Sequence, residues 1–174
     1  TSKNTDALEV SEPSLYFESE IGEIVVTEVL NISNRTPDKI DTRDKPFMLT
    51  LPQGYFQFQL LEQATPVRQY EILENDLQFF DTFAPGETQL VFQYRLSAFL
   101  GQHHFLKTYR HPLQKIKIYA PLHQLKIQSE DLFFTGKQTF GETELLSWEV
   151  RDLPSNQLKL SIVGVPVPQM FYLY

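Results

Sequence analysis

The sequence predicts an all-β fold, specifically an antiparallel β-sandwich, from three observations. Five alanines stand against fourteen phenylalanines and eight tyrosines, a composition that favours strands over helices. Apolar and polar residues alternate with a period of two in several runs, as they do in half-buried strands. Clusters of Pro, Gly and Asn separate these runs at intervals of roughly 10 to 15 residues, which is typical of sheets packed face to face.

Two runs show the alternation most clearly. The first places Ile24, Val26, Leu30 and Ile32 on one face, and the second does the same with Leu90, Phe92, Tyr94 and Leu96. Shorter runs with the same period are Phe47/Leu49/Leu51, Phe56/Phe58/Leu60, Ile116/Ile118/Ala120, Leu125/Ile127, Leu146/Trp148/Val150 and Leu158/Leu160/Ile162. Because Trp148 alternates with two aliphatic residues, we interpret it as a core residue.

The composition excludes several classes of function. The 174 residues can bury a sizeable core without a metal or disulfide, and the absence of cysteine excludes thiolate zinc sites, iron–sulfur clusters and cysteine nucleophiles. A net charge of −7 argues against nucleic acid as a partner. Seven glycines form no phosphate-binding loop, so nucleotide chemistry is excluded and no cofactor is expected.

The turn-rich stretch around Tyr109 to Pro121 predicts a division of the chain. Residues 1–112 are expected to form the main sandwich. Residues 113–174 are expected to form a smaller β unit packed on it, because they are too few for an independent sandwich. The tail 165–174 begins with a break at Pro166 and Pro168 and is apolar and aromatic after it. Two interpretations stay open: a docked tail or a segment next to a membrane.

Several segments carry a resemblance to a known class of proteins. The strand ending in Asn31–Asn34, the turn Leu51–Gly54, the strand opened by Ala84–Glu87 and the closing segment Leu158–Pro166 together resemble ectodomains of bacterial membrane-anchored proteins. The resemblance implies an Ig-like or transthyretin-like sandwich, a periplasmic or cell-surface location, and a transmembrane anchor after the final strand. It implies no functional residues.

Histidines are the first candidates for chemistry. His103, His104 and His111 lie close together in the sequence, and a hairpin could bring His111 opposite one of the other two. On a strand, however, His103 and His104 point to opposite faces, so both could bind one metal ion only across a bulge. We therefore keep this trio as a weak metal-site hypothesis beside the interpretation as ordinary loop and edge residues.

A second weak candidate is a strip of polar and aromatic side chains. Strict alternation would place Tyr55, Gln57 and Gln59 on the face opposite Phe56, Phe58 and Leu60, where they could bind a carbohydrate or a peptide. The same strip could also be a wetted outer face.

Because no catalytic signature appears, the sequence predicts a non-catalytic binding or scaffolding domain that recognises its partner through sheet edges and end loops. The expected partner is a protein or glycan of the cell envelope, and membrane contact is expected only through an anchor. The alternatives are a carbohydrate-binding module, marked by a row of exposed aromatic rings, and a metal-dependent hydrolase, marked by converging histidines.

Overall fold

The computed structural model describes residues 1–61 and 69–168, and these residues confirm the predicted all-β sandwich. Two short 3-10 helices, Thr5–Ala7 and Pro154–Asn156, are the helical elements within the described ranges. The strands are β1 Leu8–Val10, β2 Ser14–Glu20, β3 Glu23–Asn34, β4 Ile40–Asp41, β5 Phe47–Thr50, β6 Tyr55–Leu60, β7 Tyr70–Leu73, β8 Asp76–Phe79, β9 Thr82–Phe83, β10 Gly86–Ser97, β11 Gln102–Thr108, β12 Ile116–Pro121, β13 Lys126–Gln128, β14 Phe133–Phe140, β15 Thr143–Val150 and β16 Gln157–Val163.

One large sheet forms the first layer of the sandwich. Its strand order is β14-β15-β12-β2-β3-β10-β6, and β1 pairs with part of β3. Among the described strands every pairing is antiparallel except the one between β2 and β12, which run parallel. The large sheet is therefore mixed, because it contains one parallel pair. The sequence predicted an antiparallel sandwich and did not anticipate this pair.

The two longest strands, β3 and β10, form the spine of this sheet. They pair without interruption from Glu23 opposite Ser97 to Asn34 opposite Gly86. The alternating residues singled out in the sequence all point to one face, where they are buried. An uninterrupted ladder of this length fixes the register, because a slip by one residue would turn the whole apolar set toward water.

Three smaller sheets cover the apolar face of the large one. Their strand orders are β11-β16-β13, β5-β8-β7 and β4-β9. Phe17 of the large sheet meets Phe105 of β11 edge to face at 5.4 Å, and Phe58 of β6 packs on Tyr70 of β7 at 5.6 Å. These aromatic contacts join the layers into one continuous core.

A buried ion pair crosses the interface between the two layers. Lys107 of β11 donates hydrogen bonds from Nζ to both carboxylate oxygens of Glu28 on β3, at 2.6 and 2.9 Å, and both side chains are essentially inaccessible to water. Tyr94 of β10 donates to the Oε2 atom of Glu28 at 2.6 Å. The ring of Tyr109 lies 4.9 Å from the Lys107 ammonium. Both charges are thus removed from water and lie near aromatic rings, so each is stabilised by the other in place of solvent.

Residues on both sides of position 112 pair within the same sheets. Strand β12 lies beside β2 in the large sheet, and β16 pairs along the full length of β11. Of the apolar tail, residues 165–168 are described, whereas 169–174 lie outside the described residues. Within the described ranges no helix is long and apolar enough to cross a membrane.

The shared sheets lead to a prediction about the division at residue 112. A chain ending at Pro112 lacks β12, one of the two neighbours of β2, and β16, the neighbour of β11, so it should expose Leu15 and Phe105, which are buried in the intact protein. We expect this fragment to lose cooperative unfolding in urea and the amide dispersion of its NMR spectrum. A fragment that unfolds cooperatively, with the same midpoint as the intact chain, would contradict the shared-sheet account.

Candidate binding surface

Strand β14 is the edge of the large sheet, and most of its side chains are exposed on both faces. Phe133 and Phe134 are adjacent residues with 56% and 54% of their surfaces exposed. Because neighbouring residues of a strand point to opposite faces, one ring projects from each side of the sheet edge. Large apolar side chains at a sheet edge are unusual in isolated domains and are typical of interaction sites.

On the inner face, Phe134 borders an open groove of about 510 Å³. Its ring meets the half-buried Trp148 of β15 edge to face, with centroids 6.0 Å apart. Leu132 and Ile127 form the apolar floor, and Glu130 and Gln128 give the rim its polar groups. The groove has room for one or two apolar side chains of a partner. We call Phe133, Phe134, Leu132 and Trp148 the β14 surface.

On the outer face, charged residues hold the ring of Phe133 in place. The Arg151 guanidinium lies 4.6 Å from its centroid, a cation–π contact. Glu149 lies 3.4 Å from Arg151 and 3.3 Å from Lys115. Burial alone would raise the pKa of Glu149, but hydrogen bonds and charge attraction from Lys115 and Arg151 lower it below its ordinary value. Glu149 thus remains ionised and fixes Arg151 over the ring.

The middle of β14 is protected against indiscriminate strand pairing. The register with β15 shifts between Phe134 and Gly136, and Gly136 has a φ of 125°, which favours glycine. Lys137 follows at once and places a charge on the edge. Bulges and edge lysines are devices that discourage aggregation through open strands. They leave the Phe133–Phe134 end as the accessible part of the edge.

Further aromatic residues lie on the outer face, near the other end of β14. Tyr16 stacks on Tyr119 with centroids 4.7 Å apart and planes 13° apart, and Phe140 meets Tyr119 edge to face at 6.1 Å. Since the two tyrosines cover each other and Phe140 stands perpendicular to Tyr119, the three rings do not form the flat platform on which a sugar ring stacks.

The predicted strip on β6 is divided between the two faces of the sheet. Tyr55 lies opposite Leu96 of β10, whereas Gln59 lies opposite Gln93, because the register shifts between Gln93 and Arg95. Gln57, with a φ of 50°, is at this irregularity. Tyr55 packs against the core and donates a hydrogen bond from its hydroxyl to the carbonyl of Glu74 at 2.7 Å. The prediction that Tyr55, Gln57 and Gln59 share one face is therefore wrong.

The three neighbouring histidines occupy separate places. His103 faces the inner side of β11 and contacts the Ser97 carbonyl through Nδ1 at 2.9 Å, whereas His104 is on the outer side of the same strand. His111 contacts the Met48 carbonyl through Nε2 at 3.0 Å and stacks on Phe47. No three His, Asp or Glu side chains in the described ranges are grouped as metal ligands, so the converging trio of the metal hypothesis is not present there.

The β14 surface was missed because its sequence, Phe133–Phe140, does not alternate. Two consecutive phenylalanines followed by Thr, Gly and Lys match neither a half-buried strand nor a helix face. A signal was available in the absence of alternation, since a strand exposed on both faces has no reason to show a period of two. Trp148, predicted to lie in the core, packs against the core cluster and also contacts Phe134.

The environment of His103 predicts a pH dependence of stability. Burial lowers the pKa of His103 below its ordinary value of 6.5, although the hydrogen bond to Ser97 opposes the shift, and its buried Nε2 has no partner among the described residues. The neutral ring is therefore preferred in the folded protein, and its contribution to stability is lost as pH falls below about 6.5. Between pH 7.5 and 5.5, His103→Gln should lose less stability in urea unfolding than the parent protein.

His104→Gln is the matched control, because this neighbour is exposed on the opposite face of β11. It should show the same loss between the two pH values as the parent. An equal loss in His103→Gln would show that another group causes the dependence.

Comparisons with known proteins place the chain as follows. A scan against protein-family models finds no match, and a search of curated proteins finds none. Among solved structures, an M1 zinc metallopeptidase from Deinococcus radiodurans is 14% identical with a TM-score of 0.49, over 91% of this chain and 42% of that one. Two structures of a two-domain M1 zinc metallopeptidase mutant, bound to L-arginine or L-tryptophan, are also 14% identical with TM-scores of 0.48. The chain thus spans less than half of the length of these proteins.

Proposed function

We propose that this chain is a non-catalytic binding domain of a bacterial envelope protein that captures a partner protein with the β14 surface. The observation that carries the proposal is the pair Phe133 and Phe134, two adjacent and largely exposed rings on opposite faces of an edge strand. A partner segment that wraps around this edge would bury both rings at once. Aromatic anchors of this kind supply most of the affinity of many protein interfaces.

The mode of binding follows from the two faces of the edge. An extended partner segment can pair with the free backbone edge of β14 near Phe133, as peptides do when they extend an exposed sheet. One of its apolar side chains can then enter the groove between Phe134 and Trp148. On the outer face, the Arg151 guanidinium is held by Glu149 and is positioned to donate hydrogen bonds to a carboxylate of the partner.

A protein is favoured over a glycan by the chemistry of the rings. Phenylalanine has no polar group to orient a hydroxyl-rich ligand, and the planes of Trp148 and Phe134 are 64° apart, so the two rings do not form a flat platform. The carbohydrate-binding module remains the second candidate because aromatic residues do cluster on this half of the sheet.

Ser147 and His111 are of the types that a hydrolase uses, and both have structural roles in the described part of the chain. Ser147 donates a hydrogen bond to the carbonyl of Gly136 at 3.1 Å and shares a second one with Thr135. The His111 ring stacks on Phe47, and its Nε2 atom contacts the Met48 carbonyl. Because Ser147 and His111 are both engaged in contacts within the fold, a role in recognition is better supported than a role in catalysis. The absence of cysteine suits an oxidising compartment, which supports a location in the periplasm or at the cell surface. The membrane tether in this proposal comes from the resemblance to bacterial ectodomains alone.

The test compares peptide and glycan binding by matched variants. Peptides selected against the parent chain from a random display library are measured for affinity to Phe134→Ser and Phe133→Ser. Because each substitution removes an anchor worth about 2 kcal/mol, affinity should fall by roughly thirtyfold.

Leu73→Ser is the control, since Leu73 is at least as exposed as the two phenylalanines, lies on the separate β5-β8-β7 sheet, and should leave binding unchanged when replaced. Peptides that bind the Phe133→Ser/Phe134→Ser double variant as tightly as the parent would overturn the proposal. Glycan-array ligands that depend on Phe134, without any selected peptide that does, would favour the carbohydrate-binding module.

A further inference from the structure

The outer side of the β11-β16-β13 sheet forms a second exposed surface of the molecule. Phe105, Leu160 and Ile127 point inward from its three strands and are buried in the core. Since neighbouring residues of a strand point to opposite faces, the outward side chains are the even-numbered ones of β11 and β13 and the odd-numbered ones of β16. We call these outward side chains the small-sheet face.

The small-sheet face is basic, although the chain as a whole carries a net charge of −7. Its charged side chains are Lys126 and Lys159, His104 is its further titratable group, and none of its members is a carboxylate. These three side chains are exposed. Neither lysine forms an ion pair with a carboxylate of the described residues. An anionic partner would therefore supply the counter-charges that this face lacks.

The cations are spread along the sheet. His104 lies opposite Ser161, two residues from Lys159 on β16, so His104 and Lys159 are diagonal neighbours on adjacent strands. Such neighbours are about 7–8 Å apart. Lys126 lies opposite Val163, four residues beyond Lys159, which is roughly 13 Å along the strand direction at about 3.3 Å per residue. This spacing suits an extended acidic segment better than one compact anion.

A groove of about 470 Å³ lies on the small-sheet face. His104 and Lys159 line it from the sheet, and the turn of residues 129–131 supplies hydroxyl and acidic groups to the same groove. The first two residues of this turn also border the groove beside Phe134. The two grooves thus meet at one turn, and one extended chain can occupy both.

Strand β16 has an open backbone side at this groove. It pairs with β11 along its whole length, whereas its pairing with β13 stops at Ser161, opposite Gln128. Residues 157–160 therefore have no strand partner on their second side among the described residues. An extended segment can form backbone hydrogen bonds with this open side, next to the Lys159 side chain.

We propose that the small-sheet face binds an acidic stretch of the same partner segment that places an apolar side chain beside Phe134. The inference deepens the proposed function and rests on it, because the β14 surface holds the other part of the segment. The shared turn connects the two grooves, and the carboxylate-free face of an otherwise acidic chain specifies the chemistry of the occupant. Charge pairs of this kind contribute more to the choice of partner than to affinity.

Glu130 and Asp131 specify what lies between the two parts of the partner segment. Both are exposed, and both line the groove that Lys159 lines. A carboxylate of the partner placed directly over them would be repelled, whereas a neutral or basic residue would not. The expected partner segment thus has an apolar residue, then neutral or basic residues, and then acidic residues.

The test measures charge recognition in peptides that already depend on Phe134. Peptides from the random display library are first sorted by their loss of affinity for Phe134→Ser, and those retained are measured against Lys159→Glu. Their affinity should fall by about tenfold, because reversal of the charge replaces attraction with repulsion. Replacing the acidic residues of these peptides with lysine should reverse the preference, so that Lys159→Glu binds them more tightly than the parent chain does.

Lys39→Glu is the matched control. Lys39 is exposed and lines neither groove, and its substitution changes the net charge of the chain by the same amount. It should change peptide affinity by less than about twofold, because charges far from the bound segment are screened. Raising the NaCl concentration from about 0.05 M to about 0.5 M should weaken binding to the parent chain more than binding to Lys159→Glu.

The possible results separate this inference from the proposed function. Phe134-dependent peptides that bind Lys159→Glu as tightly as the parent chain would overturn the inference and leave the proposed function intact. Unaltered peptides that bind Lys159→Glu more tightly would also overturn it, since the groove would then recognise cations through Glu130 and Asp131. Peptides that depend on Lys159 but not on Phe134 would contradict a single segment that spans both grooves. If no peptide depends on Phe134, the proposed function fails and the inference fails with it.

Discussion

The ion pair between Glu28 and Lys107 determines how the two layers of this protein sit on each other. Each side chain is buried among aromatic rings, and each would be strongly destabilised without the other. The pair joins the middle of β3 to β11, and Tyr94 adds a hydrogen bond from β10. Burial raises the pKa of Tyr94 well above its ordinary value, and the charge of Glu28 adds to the shift, so the hydroxyl keeps its proton and remains a donor. Because the hydrogen bonds of a buried charge pair are directional, we infer that this pair favours one alignment of the two layers.

The β14 surface depends on this fixed arrangement. The large sheet carries the β14 surface at its edge, and the groove beneath Phe134 is bordered by Ile127 of the covering sheet. A shift between the layers would change the groove. Rigid presentation of few exposed aromatic and aliphatic anchors is what a binding domain requires.

The alternation of apolar residues predicted the sandwich and most of its core strands because each of them buries one face. Glu28 and Lys107 were not singled out, although both are in phase with core residues: Glu28 lies between Val26 and Leu30, and Lys107 follows Phe105 by two. Two opposite charges at core positions of different strands are a signal for a buried pair, but pairing across layers depends on tertiary geometry that no local pattern contains. The strip on β6 failed because a bulge breaks strict alternation, and β14 was missed because a strand exposed on both faces has none.

A double-mutant cycle on the ion pair tests this account most directly. Glu28→Gln, Lys107→Met and the double variant are compared by urea unfolding, with Lys3→Met as the control for an exposed pair with Asp44. Each core substitution alone should cost about 3–5 kcal/mol, because it leaves its partner buried and unpaired, and the double variant should cost at least about 2 kcal/mol less than the sum. Lys3→Met should change the free energy of unfolding far less than either core substitution, because its pair with Asp44 is exposed to water. Additive core substitutions that each cost as little as the exposed control would contradict the claim that the two buried charges stabilise the packed layers as a pair.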